Sequence, residues 1–138
     1  MQTYFKYLGY AGLLPFISLP LLSFLGWLDH FRAVEYFVQY SAIILSFFGG
    51  VHWAQALDKN TVDHQVFVAM LPSIVAWLSV ITLNGTWLLS TLALAYIAIL
   101  MYDKYTLKLD QQMVVEYTLF RTILTTLVVF CHFVMSWL

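Results

Sequence analysis

Two ionisable side chains, His52 and Arg121, lie within apolar runs of this 138-residue sequence. An ionisable group inside a membrane-spanning helix is a candidate functional residue, because removing it from water is costly. His52 could bind a ligand, relay a proton, lie at the membrane interface, or stay neutral and bond a facing carbonyl group. The sequence favours the neutral, bonded imidazole, since His52 lies only about five residues from the end of its apolar run.

Arg121 shares one helical stripe with Tyr117 and Thr125. A guanidinium one turn inside a span can extend its stem along the helix and reach the headgroups, which is the simplest interpretation. The alternative is that Arg121 pairs with Glu116, with Asp103, or with an anionic lipid or ligand at that end of the protein.

The histidines do not predict a metal or haem site. His52 and His132 are separated by about 14 Å along the membrane normal at about 1.5 Å per residue, which is too far for one iron to bind both. The sequence has no Cys-x-x-Cys, His-x-x-x-His or Glu-x-x-His spacing. We therefore predict no metal and no cofactor, and the lack of a nucleophile motif or phosphate-binding loop disfavours an enzyme.

The composition predicts where these side chains are held. Hydrophobic residues make up 62% of the chain and charged residues 9%, whereas soluble domains carry roughly 25% charged residues. The chain is therefore predicted to be an integral membrane protein whose first partner is the lipid bilayer. The net charge of −1 argues against a nucleic-acid partner, which would require a basic patch.

The predicted fold is all-α: a polytopic bundle of five transmembrane helices in one domain, residues 1–138. The spans are expected at about 4–26, 34–57, 66–83, 86–102 and 117–138. Prolines predict kinks in the first span (Pro15 and Pro20) and in the third (Pro72). The fourth span is short enough that a re-entrant segment stays an alternative.

The second span is predicted to be the central helix. Small residues recur four apart along one side, where another backbone could approach: Ala42, Ser46, Gly50 and Ala54. The opposite side carries residues unsuited to lipid: Ser41, Phe48, His52 and Gln55. A helix with two such sides is expected to be enclosed by the other four.

Basic residues predict the orientation of the bundle. With five spans, one side of the membrane receives Lys6, Lys59, Lys104, Lys108 and Arg121, and the other receives only Arg32. The excess of positive charge places the N-terminus in the cytoplasm and the C-terminus outside, which is the periplasm for a bacterial inner membrane. If the protein is mitochondrial, the same rule places the N-terminus in the matrix and the C-terminus in the intermembrane space.

Several motifs resemble a family of small membrane proteins labelled domain of unknown function 3429, which includes a mitochondrial relative similar to transmembrane protein 69. The opening Leu8–Phe16 resembles the family pattern LGxxGLxPF, and Ser46–Trp53 resembles SFxGGxHW. Leu71-Pro72-Ser73 with Trp77, and Arg121 with Thr125, resemble its later motifs. The resemblance implies a five-helix inner-membrane protein and draws attention to these positions: Pro15, Gly49, Gly50, His52, Trp53, Pro72 and Arg121. Gly9 and Gly12 are further candidate structural residues, because they allow close helix contact just before the first predicted kink.

Two functions are expected from these features. The first is an accessory, structural or assembly protein that packs against a larger membrane complex or forms a homo-oligomer. The alternative is a protein that binds or conducts a small hydrophobic ligand, such as a quinone, lipid or haem-like molecule. Its candidate binding residues lie beside His52: Trp53, Ser73, Trp77 and Arg121. A void lined by these side chains would favour the ligand, and a filled space would favour packing.

Overall fold

A computed structural model describes residues 3–60, 62–106 and 111–138, with side chains for all of these except 106 and 111–118. Lys108 and Glu116, which entered the predictions of orientation and pairing, lie outside the described side chains.

The described chain folds into helices that form five candidate membrane spans, which confirms the predicted all-α bundle. The first span contains two helical segments, and each later span is a single helix. The helices are α1 (Thr3–Ala11), α2 (Leu14–Phe24), α3 (His30–Lys59), α4 (His64–Thr82), α5 (Gly85–Thr106) and α6 (Gln111–Trp137).

The first span is interrupted between α1 and α2, at Gly12 and Leu13. Pro15 lies in the first turn of α2, where its missing N–H removes no helical hydrogen bond. The Gly12 carbonyl accepts a hydrogen bond of 2.8 Å from the Tyr40 hydroxyl on α3. Helix α4 continues through Pro72, and a kink at any of the prolines stays a prediction.

Tyr40→Phe tests the hydrogen bond between the Tyr40 hydroxyl and the Gly12 carbonyl, at the break between α1 and α2. We expect the free energy of unfolding to fall by about 1 kcal/mol, because the variant leaves the Gly12 carbonyl without this donor. Unfolding in detergent, followed by circular dichroism, would measure the loss. The conservative control is Tyr36→Phe, since Tyr36 is an exposed residue one turn earlier on α3; an equal loss in both variants would contradict the assignment.

The fourth span is longer than predicted. The candidate span covers Gly85–Tyr105, 21 residues, which is enough to cross a bilayer. The sequence suggested an end near Tyr102 because the charged Asp103 and Lys104 follow. The Asp103 side chain is instead buried, so the helix continues past it inside the bundle.

Helix α3 lies against α2, α4 and α5, and its side chains also reach α6. The residues it buries follow one face: Ala33, Phe37, Val38, Ser41, Leu45, Gly49, His52 and Ala56. Its opposite face is exposed, so the prediction that four helices enclose α3 is wrong for that face. The exposed face includes Ile43, Phe47, Gly50, Trp53, Ala54 and Leu57.

Gly49 provides the close helix contact that the small-residue stripe predicted for Gly50. A Cβ atom on Gly49 would overlap the Ala69 carbonyl oxygen and lie 3.3 Å from Pro72 Cγ on α4, whereas one on Gly50 would meet nothing within 4 Å. The two residues differ because neighbours on a helix point about 100° apart. Gly9 has a similar role in α1, where a Cβ atom would overlap the Phe120 ring of α6.

Candidate functional site

A cluster of buried polar side chains joins four helices near the α3–α4 turn. It consists of His52 on α3, Gln65 on α4, Asp103 on α5 and Arg121 on α6, and we call it the ionic cluster. His52 is fully buried, and Arg121 and Asp103 are only 3% and 7% exposed. The sequence placed His52 and Arg121 inside spans and grouped them as candidate ligand residues, but it did not predict that Asp103 and Gln65 join them.

Asp103 is the centre of the ionic cluster. Its Oδ2 accepts hydrogen bonds from Arg121 Nη2 at 2.5 Å and Nε at 3.2 Å, and its Oδ1 is bonded to His52 Nε2. The guanidinium also lies over the Phe48 ring, with Cζ 3.7 Å from the ring centroid, a favourable cation–π geometry. Arg121 therefore pairs with Asp103, one of the partners that the sequence offered, and does not extend to the headgroups.

Gln65 fixes the tautomer of His52. Its Nε2 lies 3.0 Å from His52 Nδ1 and 2.7 Å from Gln55 Oε1. Because an amide nitrogen only donates, Nδ1 must accept, and the ring proton is then on Nε2, which donates to Asp103. The arrangement is thus a neutral imidazole between an amide and a carboxylate. With Arg121 and Asp103 both charged, the net charge of the cluster is zero.

The α3–α4 turn places Gln65 opposite His52. Asn60 closes α3 in the left-handed conformation with φ of 52°, and the Asp63 carboxylate caps α4 by accepting from Gln65 N at 2.9 Å. An aspartate in this capping position is favourable because it satisfies a free N–H of the first turn. Gly49, about one turn before His52, lets α4 approach closely enough for the Gln65 side chain to reach the imidazole.

Tyr102 covers the ionic cluster at its edge. Its ring lies 4.8 Å from the His52 ring, and its hydroxyl is 2.7 Å from Nδ1 of the exposed His64. These contacts connect the start of α4 to the end of α5. Both Asp103 oxygens and both His52 nitrogens accept or donate hydrogen bonds within the protein. This pattern is expected of residues that stabilise the packing of helices.

Three buried polar atoms in or beside the ionic cluster have no hydrogen-bond partner among the described residues. They are Gln65 Oε1, Arg121 Nη1 and Thr125 Oγ1. Thr125 lies one turn beyond Arg121 on α6, as the sequence stripe predicted. Such atoms generally need a partner, so this part of the core retains capacity for further hydrogen bonds.

A second polar group lies deeper in the bundle, around His132. Nδ1 of this ring donates to the Val128 carbonyl at 2.7 Å, so Nε2 accepts from the Ser41 hydroxyl, also at 2.7 Å. The Tyr96 hydroxyl donates to the Ser41 carbonyl at 2.5 Å. Ser41 and His52 are separated by eleven residues of α3, about 16 Å, so the two histidines occupy separate sites.

The predicted ligand residues do not meet in one pocket. Trp53 and Trp77 are 42% and 63% exposed, and the Ser73 hydroxyl donates to the Met70 carbonyl of its own helix at 3.0 Å. Ser73 and Trp77 lie about 12 Å and 18 Å along α4 from Gln65, the residue that touches His52. The structure therefore does not bring Trp53, Ser73 and Trp77 together beside His52, because α4 presents Pro72 and Ala76 to the core instead.

A shallow groove of about 170 Å³ lies on the outside of the α3–α4 turn. It is lined by Trp53, Ala56, Leu57, Asn60, Val62 and Val66. His52 is on the other side of α3 and does not contribute to it. Of the residues predicted to bind a ligand, Trp53 is the one that lines this groove.

The predicted spans left out both Asp103, which lies at the centre of the cluster, and Gln65, which falls between the second and third spans. One signal could have found Gln65. Gln55 and Gln65 are equidistant from Asn60, and residues equidistant from a tight turn meet when two helices form an antiparallel hairpin. No comparable local signal exists for Asp103, because its partners come from helices that are distant in sequence.

Comparison with known proteins identifies a family and a relative. The family model described as protein of unknown function (DUF3429) matches residues 1–137. Transmembrane protein 69 of Xenopus tropicalis is 37% identical over 79 residues, which is 54% of this chain and 31% of the relative. The matched part thus covers about a third of that relative's length. No solved structure matches the chain.

Proposed function

Because the chain belongs to the family of proteins of unknown function DUF3429, we propose its function from its geometry: it is an accessory protein that packs against another protein within the membrane. The ionic cluster is the observation that supports this proposal. Its members bond one another across α3, α4, α5 and α6, so they fix the arrangement of the helices. The result is a rigid apolar body whose outer surface is available to lipid and to a partner.

The exposed face of α3 is the contact surface that we propose for this partner. Gly50 offers open space there, and the exposed Ala54 lies one turn further along the same face. Phe47 and Trp53, both exposed, flank this small-residue notch. Small residues between larger ones allow a second transmembrane helix to approach closely and gain van der Waals contact.

The proposed location is a bacterial inner membrane, with the N-terminus in the cytoplasm and the C-terminus in the periplasm. The distribution of basic residues supports this orientation. The α3–α4 turn, with Lys59, and the end of α5, with Lys104, lie on the same side of the bundle as the start of α1, with Lys6.

Gly50→Leu tests the accessory role. The wild type, cross-linked in its native membrane and purified in mild detergent, is expected to retain a membrane protein at fixed stoichiometry. Because leucine fills the notch, the variant is expected to retain at least tenfold less of it, with unchanged thermal unfolding. Ala98→Leu, which enlarges an exposed small residue on α5, is the matched control and should retain the partner. Equal loss in both variants, or no partner with the wild type, would contradict the proposal.

The groove beside Trp53 favours a second candidate function, the binding of a small hydrophobic ligand such as a quinone or a lipid. Mass spectrometry of the same purified sample would detect a stoichiometric ligand. Trp53→Ala should release such a ligand while Trp77→Ala, at an exposed tryptophan of α4, should not. If the purified protein contains a stoichiometric ligand and no protein partner, ligand binding replaces the accessory role as the proposed function.

A further inference from the structure

The hydrogen bonds that connect His52, Gln65 and Gln55 form a chain whose direction can be reversed. In the present direction Gln65 Nε2 donates both to His52 Nδ1 and to Gln55 Oε1. The Gln65 oxygen, although buried, has no partner among the described residues. Because an amide has nearly the same shape after its oxygen and nitrogen exchange places, both glutamines can turn over within the same packing.

The reversed chain suits an imidazole that carries a second proton. A proton taken up from water at Nδ1 breaks the hydrogen bond that this nitrogen accepts from Gln65. If the Gln65 amide turns over, its oxygen accepts from the new Nδ1–H. If Gln55 turns over as well, its nitrogen donates to the same oxygen. Both directions of the chain contain two hydrogen bonds. Each leaves one polar group of the Gln65 amide without a partner among the described residues: the oxygen in the present direction and the nitrogen in the reversed one.

We propose that His52 is a proton-binding site, and that the Gln65–Gln55 amide pair switches direction to accommodate its neutral and charged forms. This inference goes beyond the accessory function and does not depend on it. The half-buried Gln55 connects the buried ring to the surface near the α3–α4 turn, which gives the proton a short route from water.

Of the titratable and charged groups around His52, the Asp103 carboxylate favours a charged form and the Arg121 cation opposes it. Asp103 of α5 bonds Nε2 directly, Tyr102 of the same helix lies against the ring, and α6 contributes Arg121 through Asp103. From α4, the neutral Gln65 meets Nδ1, and His64 reaches only as far as the Tyr102 hydroxyl. A buried cation needs a paired counter-charge, and the Asp103 carboxylate already touches the imidazole.

Protonation of His52 would change the ion pairs that Asp103 forms. The neutral cluster has one cation, Arg121, and one anion. With His52 charged, two cations from α3 and α6 share a single carboxylate on α5. The Arg121–Asp103 contact is then weaker, because the carboxylate interacts with two cations at once.

His132 provides an internal comparison in the same protein. Its Nδ1 donates to a backbone carbonyl, which cannot turn over, and its ring lies among the aromatic rings of Phe16, Phe37 and Tyr96. Its described contacts supply no carboxylate. The two buried histidines are therefore expected to be opposite tautomers, with only His52 taking up a second proton while the bundle stays folded.

Nitrogen-15 NMR of histidine-labelled protein in lipid bilayers tests the proposal, with each signal assigned by a His52→Gln or His132→Gln variant. In the wild type near neutral pH, His52 should be protonated at Nε2 and bare at Nδ1. On acidification its Nδ1 signal should convert to the protonated type before the helical circular dichroism signal falls. The signals of His132 should not change over the same range.

Two variants at Gln65 make the test specific to the amide switch. Gln65→Glu supplies a fixed acceptor, so His52 should already be doubly protonated near neutral pH. Gln65→Met supplies no acceptor, so conversion should be lost over the range in which the variant stays folded. The proposal is overturned if wild-type Nδ1 stays bare until unfolding, if Gln65→Met titrates like the wild type, or if His52 and His132 convert together.

Discussion

Replacing Asp103 by alanine is expected to lower the free energy of unfolding by about 3–5 kcal/mol, because it leaves the Arg121 guanidinium buried without a counter-charge. The same change removes the acceptor of His52 Nε2. Both losses occur in the interior, where water cannot replace the missing carboxylate. This is the largest single effect that the structure predicts.

Unfolding by a denaturing detergent, followed by circular dichroism, would measure the Asp103→Ala effect. Asp58→Ala is the matched control, since Asp58 is an exposed carboxylate near the end of α3. It should change the free energy of unfolding by less than about 0.5 kcal/mol. If both variants unfold alike, Asp103 does not hold the buried position described here.

Gly49→Ala is expected to have the second largest effect. The added methyl group would overlap the Ala69 carbonyl oxygen, which belongs to the backbone of α4 and cannot turn aside. The two helices must then separate, at a cost of about 1–3 kcal/mol. Since Gln65 lies on α4, separation also weakens its hydrogen bond to His52.

Gly50→Ala is the control for Gly49→Ala, because it adds the same atom one residue away in open space. Alanine is the better helix former, so this variant should be unchanged or more stable by up to about 1 kcal/mol. The comparison is made by the same detergent unfolding experiment. Equal destabilisation by the two variants would contradict the close α3–α4 contact at Gly49.

The five spans could be predicted because length and hydropathy are local properties of the sequence. Hydropathy also set the end of the fourth span too early, since Asp103 looks like a residue of an aqueous connection. Its burial depends on His52, 51 positions earlier, and on Arg121, 18 positions later. A single sequence carries no record of which distant helices are neighbours.

The neighbouring residues His52 and Trp53 show a related limit. A motif that contains His52 and Trp53 places both on one short stretch of helix, but neighbours on a helix point in different directions. His52 is buried in the ionic cluster, while Trp53 lines an outer groove. The sequence drew attention to this stretch of α3, but it did not show which of its residues face the core and which face outward.

A double-mutant cycle tests most directly the claim that Asp103 and Arg121 form a buried pair at the end of the bundle near the α3–α4 turn. The variants are Asp103→Asn, Arg121→Met and the two together, each measured by unfolding in detergent. Each single variant leaves one buried charge without its main partner, whereas the double variant removes both charges. We predict that the double variant is more stable than either single variant; losses that simply add would contradict the pairing.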